Sequence, residues 1–141
     1  MSDEWDMEAM NRQVTEEFRA NGGKVGGMFE GVPLVILHTT GRKSGKEHDN
    51  PLAYREEDGR MFIFASMAGA PTNPGWYYNV KDDPSVEIEI GTERKKARAR
   101  ILPEPERSEV YGRQAAEVPQ FAEYDVQSGD RVIPVVELIA D

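Results

Sequence analysis

"SVEIEIGTERKKARARI", residues 85–101, decides the architecture. Val86, Ile88 and Ile90 alternate with Glu87 and Glu89; beyond Gly91-Thr92, Arg94, Lys96, Arg98 and Arg100 alternate with Ala97, Ala99 and Ile101. A two-residue period belongs to strands with one buried and one solvated face, so the segment predicts a β-hairpin. A two-residue Gly91-Thr92 turn of type II′ sets Glu89 opposite Arg94, Glu87 opposite Lys96, Ile88 opposite Lys95 and Val86 opposite Ala97. A three-residue turn would set Ile90 against Arg94 and is rejected. The basic row is therefore chiefly a solvated face paired with glutamates, whereas Arg98 and Arg100 lie beyond those glutamates and remain available to a ligand.

Further strands follow outward from this hairpin. Residues 32–39 are apolar and β-branched and read as a buried strand, in which His38 is expected to be a satisfied core residue. Residues 50–54 and 61–66 read as two more strands joined through a Glu57-Asp58-Gly59 turn, and with 32–39 they predict a meander. Residues 132–139 close the chain as a strand, with Pro134 pointing to an edge or bulge. Helical spacing of Met7, Met10, Val14 and Phe18, with Ser2 and Asp3 as caps and Asn21-Gly22-Gly23 as a stop, predicts an amphipathic N-terminal helix. Glu8, Glu16 and Glu17 on its polar face favour packing on the body over lying on an anionic membrane. Residues 67–75 read as loop, a short helix is expected after Pro74, a longer one over 104–117, and 118–131 carry no clear pattern. Together these give an α+β chain: about six mostly antiparallel strands in a small barrel or curled sheet, an N-terminal helix and two further helical segments.

Composition narrows the function. The 141 residues fit one domain, and no apolar run reaches the roughly 18 residues that a membrane span needs. With no basic-then-apolar start, the expectation is a cytoplasmic protein without an integral membrane segment, peripheral association with a membrane being the alternative. Zero cysteines excludes disulfides, thiolate metal sites and cysteine nucleophiles. A net charge of -9 disfavours nucleic acid, so an anionic ligand must find its complement locally.

The local complement is "TTGRKSGK", residues 39–46, where Arg42, Lys43 and Lys46 surround Gly41 and Gly45 directly after a strand. It is not a P-loop, because three residues rather than four separate the glycines and Glu47 follows Lys46. No dinucleotide fingerprint follows either. What remains is a nest of backbone amides and cations able to hold a phosphate or carboxylates, or simply a solvated hairpin turn. His38 and His48 show no thiol or acidic pattern that would complete a zinc site, so no metal is expected. Ser44 and Ser66 lack a nucleophile-elbow setting.

"FRANGGKVGGMFEG", "TTGRKSGKEHDNPL" and "NPGWYYNVKDDP", in this order, resemble the deazaflavin-dependent nitroreductase family, and "DRVIPVVEL" extends the likeness more loosely. The resemblance implies a split β-barrel that binds coenzyme F420 and passes hydride to a quinone, enone or nitro-type small molecule. An F420 carrier without efficient turnover and a flavin mononucleotide (FMN) oxidoreductase are the alternatives. It implies that Arg42, Lys43 and Ser44 hold the phosphate and oligoglutamate arm, and that Asn50, Pro51, Leu52, Ser66, Gly69, Asn73, Pro74, Trp76, Tyr77 and Asn79 shape the same site. Lys46, His48, Met67 and Ala68 join that set where relatives carry Gly-x-Pro-Arg after the turn and Ser-Lys-Gly-Gly in the loop, so two cationic contacts are replaced. Ser66 and Tyr124 are the candidates for orienting substrate or donating a proton. Of the tyrosines that relatives set around bicyclic nitroimidazoles, Tyr124 is matched, Val118 and Phe121 stand in for others, and Ala53 replaces an aromatic. Exposed sheet edges add the expectation of a homodimer.

Overall fold

The computed structural model describes residues 7–26, 33–41, 44–66, 73–127, 129 and 132–140, with the backbone alone over 7–11. The elements are α1 (Met7–Ala20), β1 (Leu34–Thr40), β2 (Glu47–Ala53), β3 (Arg55–Glu57), β4 (Arg60–Phe64), α2 (Gly75–Asp82), β5 (Ser85–Ile90), β6 (Glu93–Ile101), α3 (Glu106–Glu117), α4 (Gln120–Gln127) and β7 (Val135–Ala140). Seven strands form one sheet in the order β2-β1-β5-β6-β7-β4-β3, each pair antiparallel.

The 85–101 hairpin has the register that its turn length dictates: Glu89 faces Arg94, Glu87 faces Lys96, Ile88 faces Lys95 and Val86 faces Ala97. Gly91 takes the positive φ of 59° that a type II′ turn requires at its first position. Other expectations are corrected. The three strands after residue 32 do not form a meander, because β4 pairs with β7 and β3 while β2 pairs with β1. The Asp58-Gly59 turn, both residues at positive φ, instead joins β4 to the short β3, which makes a seventh strand. β7 is an interior strand bonded to both β6 and β4; Pro134 stands just before it, where the missing N–H costs nothing and its carbonyl accepts from Ala65 N–H at 3.0 Å. The unassigned stretch after residue 117 contains α4, a fourth helix. Ser2 and Asp3 lie outside the described residues.

The sheet must curl. β2 and β3 stand at opposite ends of the strand order, yet only Tyr54 separates them in sequence. One residue spans at most about 3.6 Å, so the two edges meet. The enclosed core contains Val35, Leu37, Ile63, Val86, Ile88 and Leu138, plugged by Trp76 and Val80 of α2. Outside the barrel, Val14 and Phe18 of α1 cover Leu34 and Ile36, while α3 and α4 cover Phe62, Phe64 and Val135. β1 is thus apolar on both faces and reads as a continuous run.

α1 ends in a Schellman motif: Gly23 N–H donates to Phe18 O at 2.8 Å and Gly22 has φ 64°. Gly23, at φ 97°, then seats on the hairpin turn so closely that an added Cβ would stand 2.6 Å from Gly91 Cα. We predict that Gly23→Ala destabilises the fold by more than about 2 kcal/mol in urea denaturation, through backbone clash and positive φ together. Gly112→Ala, in α3 with nothing within 4 Å of the new methyl, should be neutral or stabilising by up to about 1 kcal/mol.

Candidate functional site

Strand alternation brings the chemistry to one end of the barrel. β1 and β4 run in one direction and β2 and β5 in the other, so Thr40, Glu47, Phe64 and Ser85 share an end, and α2 leads into Ser85 there. The 41–46 turn therefore lies at the same end as Ser66 and α2.

The turn is closed by its own backbone. Gly41 N–H donates to Lys46 O at 2.7 Å, Gly45 N–H donates to Gly41 O at 2.8 Å with φ 72° at Gly45, and Lys46 N–H donates to Ser44 Oγ at 3.1 Å. Gly41 is buried, and an added Cβ would meet Ser44 Oγ at 2.7 Å and His48 Nε2 at 2.9 Å. Glycine is thus required for Ser44 and His48 to close over the turn. Lys46 and His48 are exposed. Arg42, Lys43, Met67, Ala68 and Gly69 lie outside the described residues.

The remaining residues implied by the resemblance divide. Asn50 Nδ2 donates to Leu37 O at 3.1 Å, Leu52 packs on the enclosed core, and Pro51 pairs with Ile36 in the ladder, so these three build the strand that presents the turn. Ala53 is exposed at the far end of β2, opposite Leu34. Pro74 caps α2; Asn79 Nδ2 donates to Thr39 Oγ1 at 3.2 Å, pinning the helix to β1, and Asn73 Nδ2 donates to Tyr78 OH at 3.4 Å, tying the helix to the segment that enters it. Trp76 is 6% exposed and belongs to the barrel plug, whereas Tyr77 is half-buried and meets Tyr78 edge-on.

Ser66 is half-buried, two residues beyond Phe64. The Phe64 ring lies 5.2 Å from Phe121, which lies 5.4 Å from Tyr124, and Tyr111 OH donates to Phe121 O at 2.6 Å. An aromatic wall thus links the exit of β4 to Tyr124. Burial, with Glu123 adding repulsion, pushes the Tyr124 phenol above its ordinary range, so it keeps its proton at neutral pH.

Sequence spacing missed an ionic node beside the turn. His38 is 4% exposed and, as expected, satisfied: Nδ1 lies 2.7 Å from Asp49 Oδ1 and Nε2 lies 2.5 Å from Glu89 Oε2. Arg19 reaches from α1 to Glu89 at 2.6 Å and Asp49 at 3.3 Å. The absence of acidic partners read from the chain is corrected, since His38, Glu47 and Asp49 bring ligand atoms within 4.8 Å of one another. The β1–β2–β5 register makes that cluster; only the same-face alternation of Glu47 with Asp49 and Glu87 with Glu89 could have hinted at it. Arg100 proves to be occupied, by Glu106 at 2.7 Å and Glu137 at 3.0 Å.

A curled antiparallel sheet carrying a glycine-bracketed turn and a helical plug at one end defines a small split-barrel protein. Residues 10–139 match the model of the F420H(2)-dependent quinone reductase family, and the chain belongs to that family. The F420H(2)-dependent quinone reductase Rv1261c of Mycobacterium tuberculosis is 38% identical over 78 residues, which are 55% of this chain and 52% of that one. The match thus spans about half the length of that relative. A solved F420-H2 dependent reductase (FDR-A) superposes with a TM-score of 0.66 at 38% identity, covering 75% of this chain and 93% of that one. A second solved chain, described as a domain-swapped dimer, gives 0.68 at 33% identity over 92% of this chain and 95% of its own. Among the described residues no helix is long and apolar enough to cross a membrane.

The node carries a pH dependence. The hydrogen bond from Arg19, with help from His38 and against the cost of burial, holds the Glu89 carboxyl at about 2 rather than 4.5. A depressed carboxyl stabilises the fold above its unfolded value, and that contribution is lost as pH falls through the folded one. Urea midpoints of the wild type should therefore fall more steeply between pH 4.5 and 2 than those of Glu89→Gln.

Proposed function

We propose that this chain is an F420H(2)-dependent reductase that delivers hydride to a quinone-type acceptor, with residues 1–141 acting as one cofactor-binding domain. The observation that carries the reading is the 41–46 turn: buried Gly41, closed over by Ser44 and His48, stands at the barrel end that also holds Ser66 and α2. The fit is chemical. The Ser44 hydroxyl, whose Oγ accepts from Lys46 N–H and whose own proton is left to donate, and exposed Lys46 suit a phosphate, and Arg42 and Lys43 supply further cations in this proposal. Reduced F420, when bound, supplies a hydride.

The chain's own residues then have four tasks. The turn anchors the anionic part of the cofactor. Trp76 seals the barrel end and excludes water from beneath the site. Tyr77 forms part of the wall. Ser66 and Tyr124 orient the acceptor by hydrogen bonding, and the Tyr124 phenol, protonated at neutral pH, is the proton donor. Enone and nitro acceptors fit the same demand for a hydride. We also propose a homodimer, supported by the domain-swapped assembly of the similar chain.

Fluorescence titration with oxidised F420, alongside FMN, tests this reading. F420 should bind saturably and in preference to FMN, and Lys43→Ala should weaken it by about tenfold, as loss of one charge-assisted contact implies, with the melting temperature unchanged; Gly41→Ala should weaken it too, because the added Cβ displaces Ser44 and His48 from the turn. Steady-state oxidation of reduced F420 should then depend on added menadione. Tighter binding of FMN would sink the cofactor assignment; tight F420 binding without turnover would favour a carrier.

A further inference from the structure

The hairpin face carries cations that its glutamates do not neutralise. Lys96 stands opposite Glu87, yet the Glu87 carboxylate accepts from the diagonal Arg94 at 2.7 Å, and Arg94 also lies 3.6 Å from Glu47. Arg98 stands opposite Ser85, which has no charge to offer. Lys96 and Arg98 are exposed, and among the described residues neither is within ion-pair distance of a carboxylate, Lys96 acting on Glu87 only at longer range, although the chain holds 26 acidic side chains against 17 basic ones. By contrast Arg19, Arg55, Arg60, Arg100 and Arg113 are all ion-paired.

These two cations flank an open recess of about 350 Å³ whose other polar walls are His38, Thr39, Thr40, Ser85 and the carboxylates of Glu47 and Glu87, both of which Arg94 already faces. The recess exists because the barrel splits there. The β1–β5 ladder stops at His38 opposite Glu87, although β1 continues to Thr40 and β5 begins at Ser85. Beyond His38 the facing edges of the two strands are no longer laddered, so two hydroxyls, two cations and the splayed strand ends share one concavity.

We propose that this recess is an anion subsite that takes a carboxylate or phosphate group, held by Lys96 and Arg98 with Thr40 and Ser85 as hydroxyl donors. The subsite stands on its own geometry and does not depend on the identity of the ligand at the 41–46 turn. Thr40 directly precedes Gly41, so a ligand seated at the turn with a flexible acidic arm could reach the recess without leaving the surface. The net charge of -9 argues against diffuse anion attraction, so an anion that binds here does so through local contacts.

The test uses the whole protein and two direct probes, triglutamate and inorganic phosphate, titrated while the backbone amide resonances of Thr40, Ser85 and Val86 are followed by NMR. Saturable shifts at these amides are expected in the wild type, with affinity about a hundredfold weaker in the Lys96→Gln/Arg98→Gln double variant, since two charge-assisted contacts are removed. Lys24→Gln, an exposed lysine in the loop beside Gly23 and the hairpin turn, should bind as the wild type does and controls for net charge. Stronger binding of triglutamate assigns the subsite to the carboxylate arm of a larger ligand, and stronger binding of phosphate assigns it to a free anion. No saturation with either probe in the wild type, or equal weakening in Lys24→Gln, overturns the proposal.

Discussion

Tyr54 is the constraint on which the rest of the structure depends. A single residue carries the chain from β2, at one end of the sheet order, to β3 at the other, and so forces seven strands into a curl. Closure sends Val35, Leu37, Ile63 and Ile88 into a shared interior and leaves the opposite face of each strand to be covered by something else. α1 covers β1, and α3 with α4 covers β4 and β7. The barrel end by the 41–46 turn is plugged by α2, so the turn rests on packed side chains. Tyr54 N–H donates to Pro33 O at 3.1 Å, which ties the junction to the start of β1.

Charge locks what apolar packing arranges. The His38 node joins α1, β1, β2 and β5 through Arg19, Asp49 and Glu89, and the last two are three residues or fewer from the turn or the hairpin that border the site. Removing one partner of a fully buried ion pair costs roughly 3–5 kcal/mol because a charge is left unpaired. Here the Arg19 side chain is 44% exposed and Glu89 13%, so the cost is below that range, and solvent screens the outer half of the node. Its value is as much positional as energetic, since Asp49 and His38 fix where β2 starts.

The sequence is legible where one local rule decides the outcome. Turn length and alternation set every pairing of the β5–β6 hairpin, and glycine spacing stops α1 correctly. It is not legible where two segments far apart choose each other. Nothing in residues 60–64 distinguishes β2 from β7 as a neighbour, so the Asp-Gly turn, which does make a hairpin, does not reveal from sequence that its other arm is the short β3. The same reasoning explains Pro134: a strand-start proline and an edge proline look alike until the neighbours are known. At the candidate site, Gly41, Ser44 and Asn79 have roles visible in the geometry, whereas Leu52 and Trp76 serve the core, which motif likeness alone does not separate from ligand contact. Glu89 gave no motif at all, because its partners come from 51 and 70 residues away.

α4 contains no fully buried residue and is held to the barrel through Phe121 and half-buried Tyr124, which lean on Phe64 and Tyr111. Its attachment is therefore weaker than that of α2, whose Trp76 and Val80 are part of the barrel interior. In the proposed reading α2 borders the cofactor and α4 faces the acceptor. The half of the site that must stay constant is built into the load of the barrel, and the half that meets a variable molecule is a veneer. Such a scaffold can change the acceptor it admits by redrawing one short helix, and its cofactor chemistry passes through the change intact.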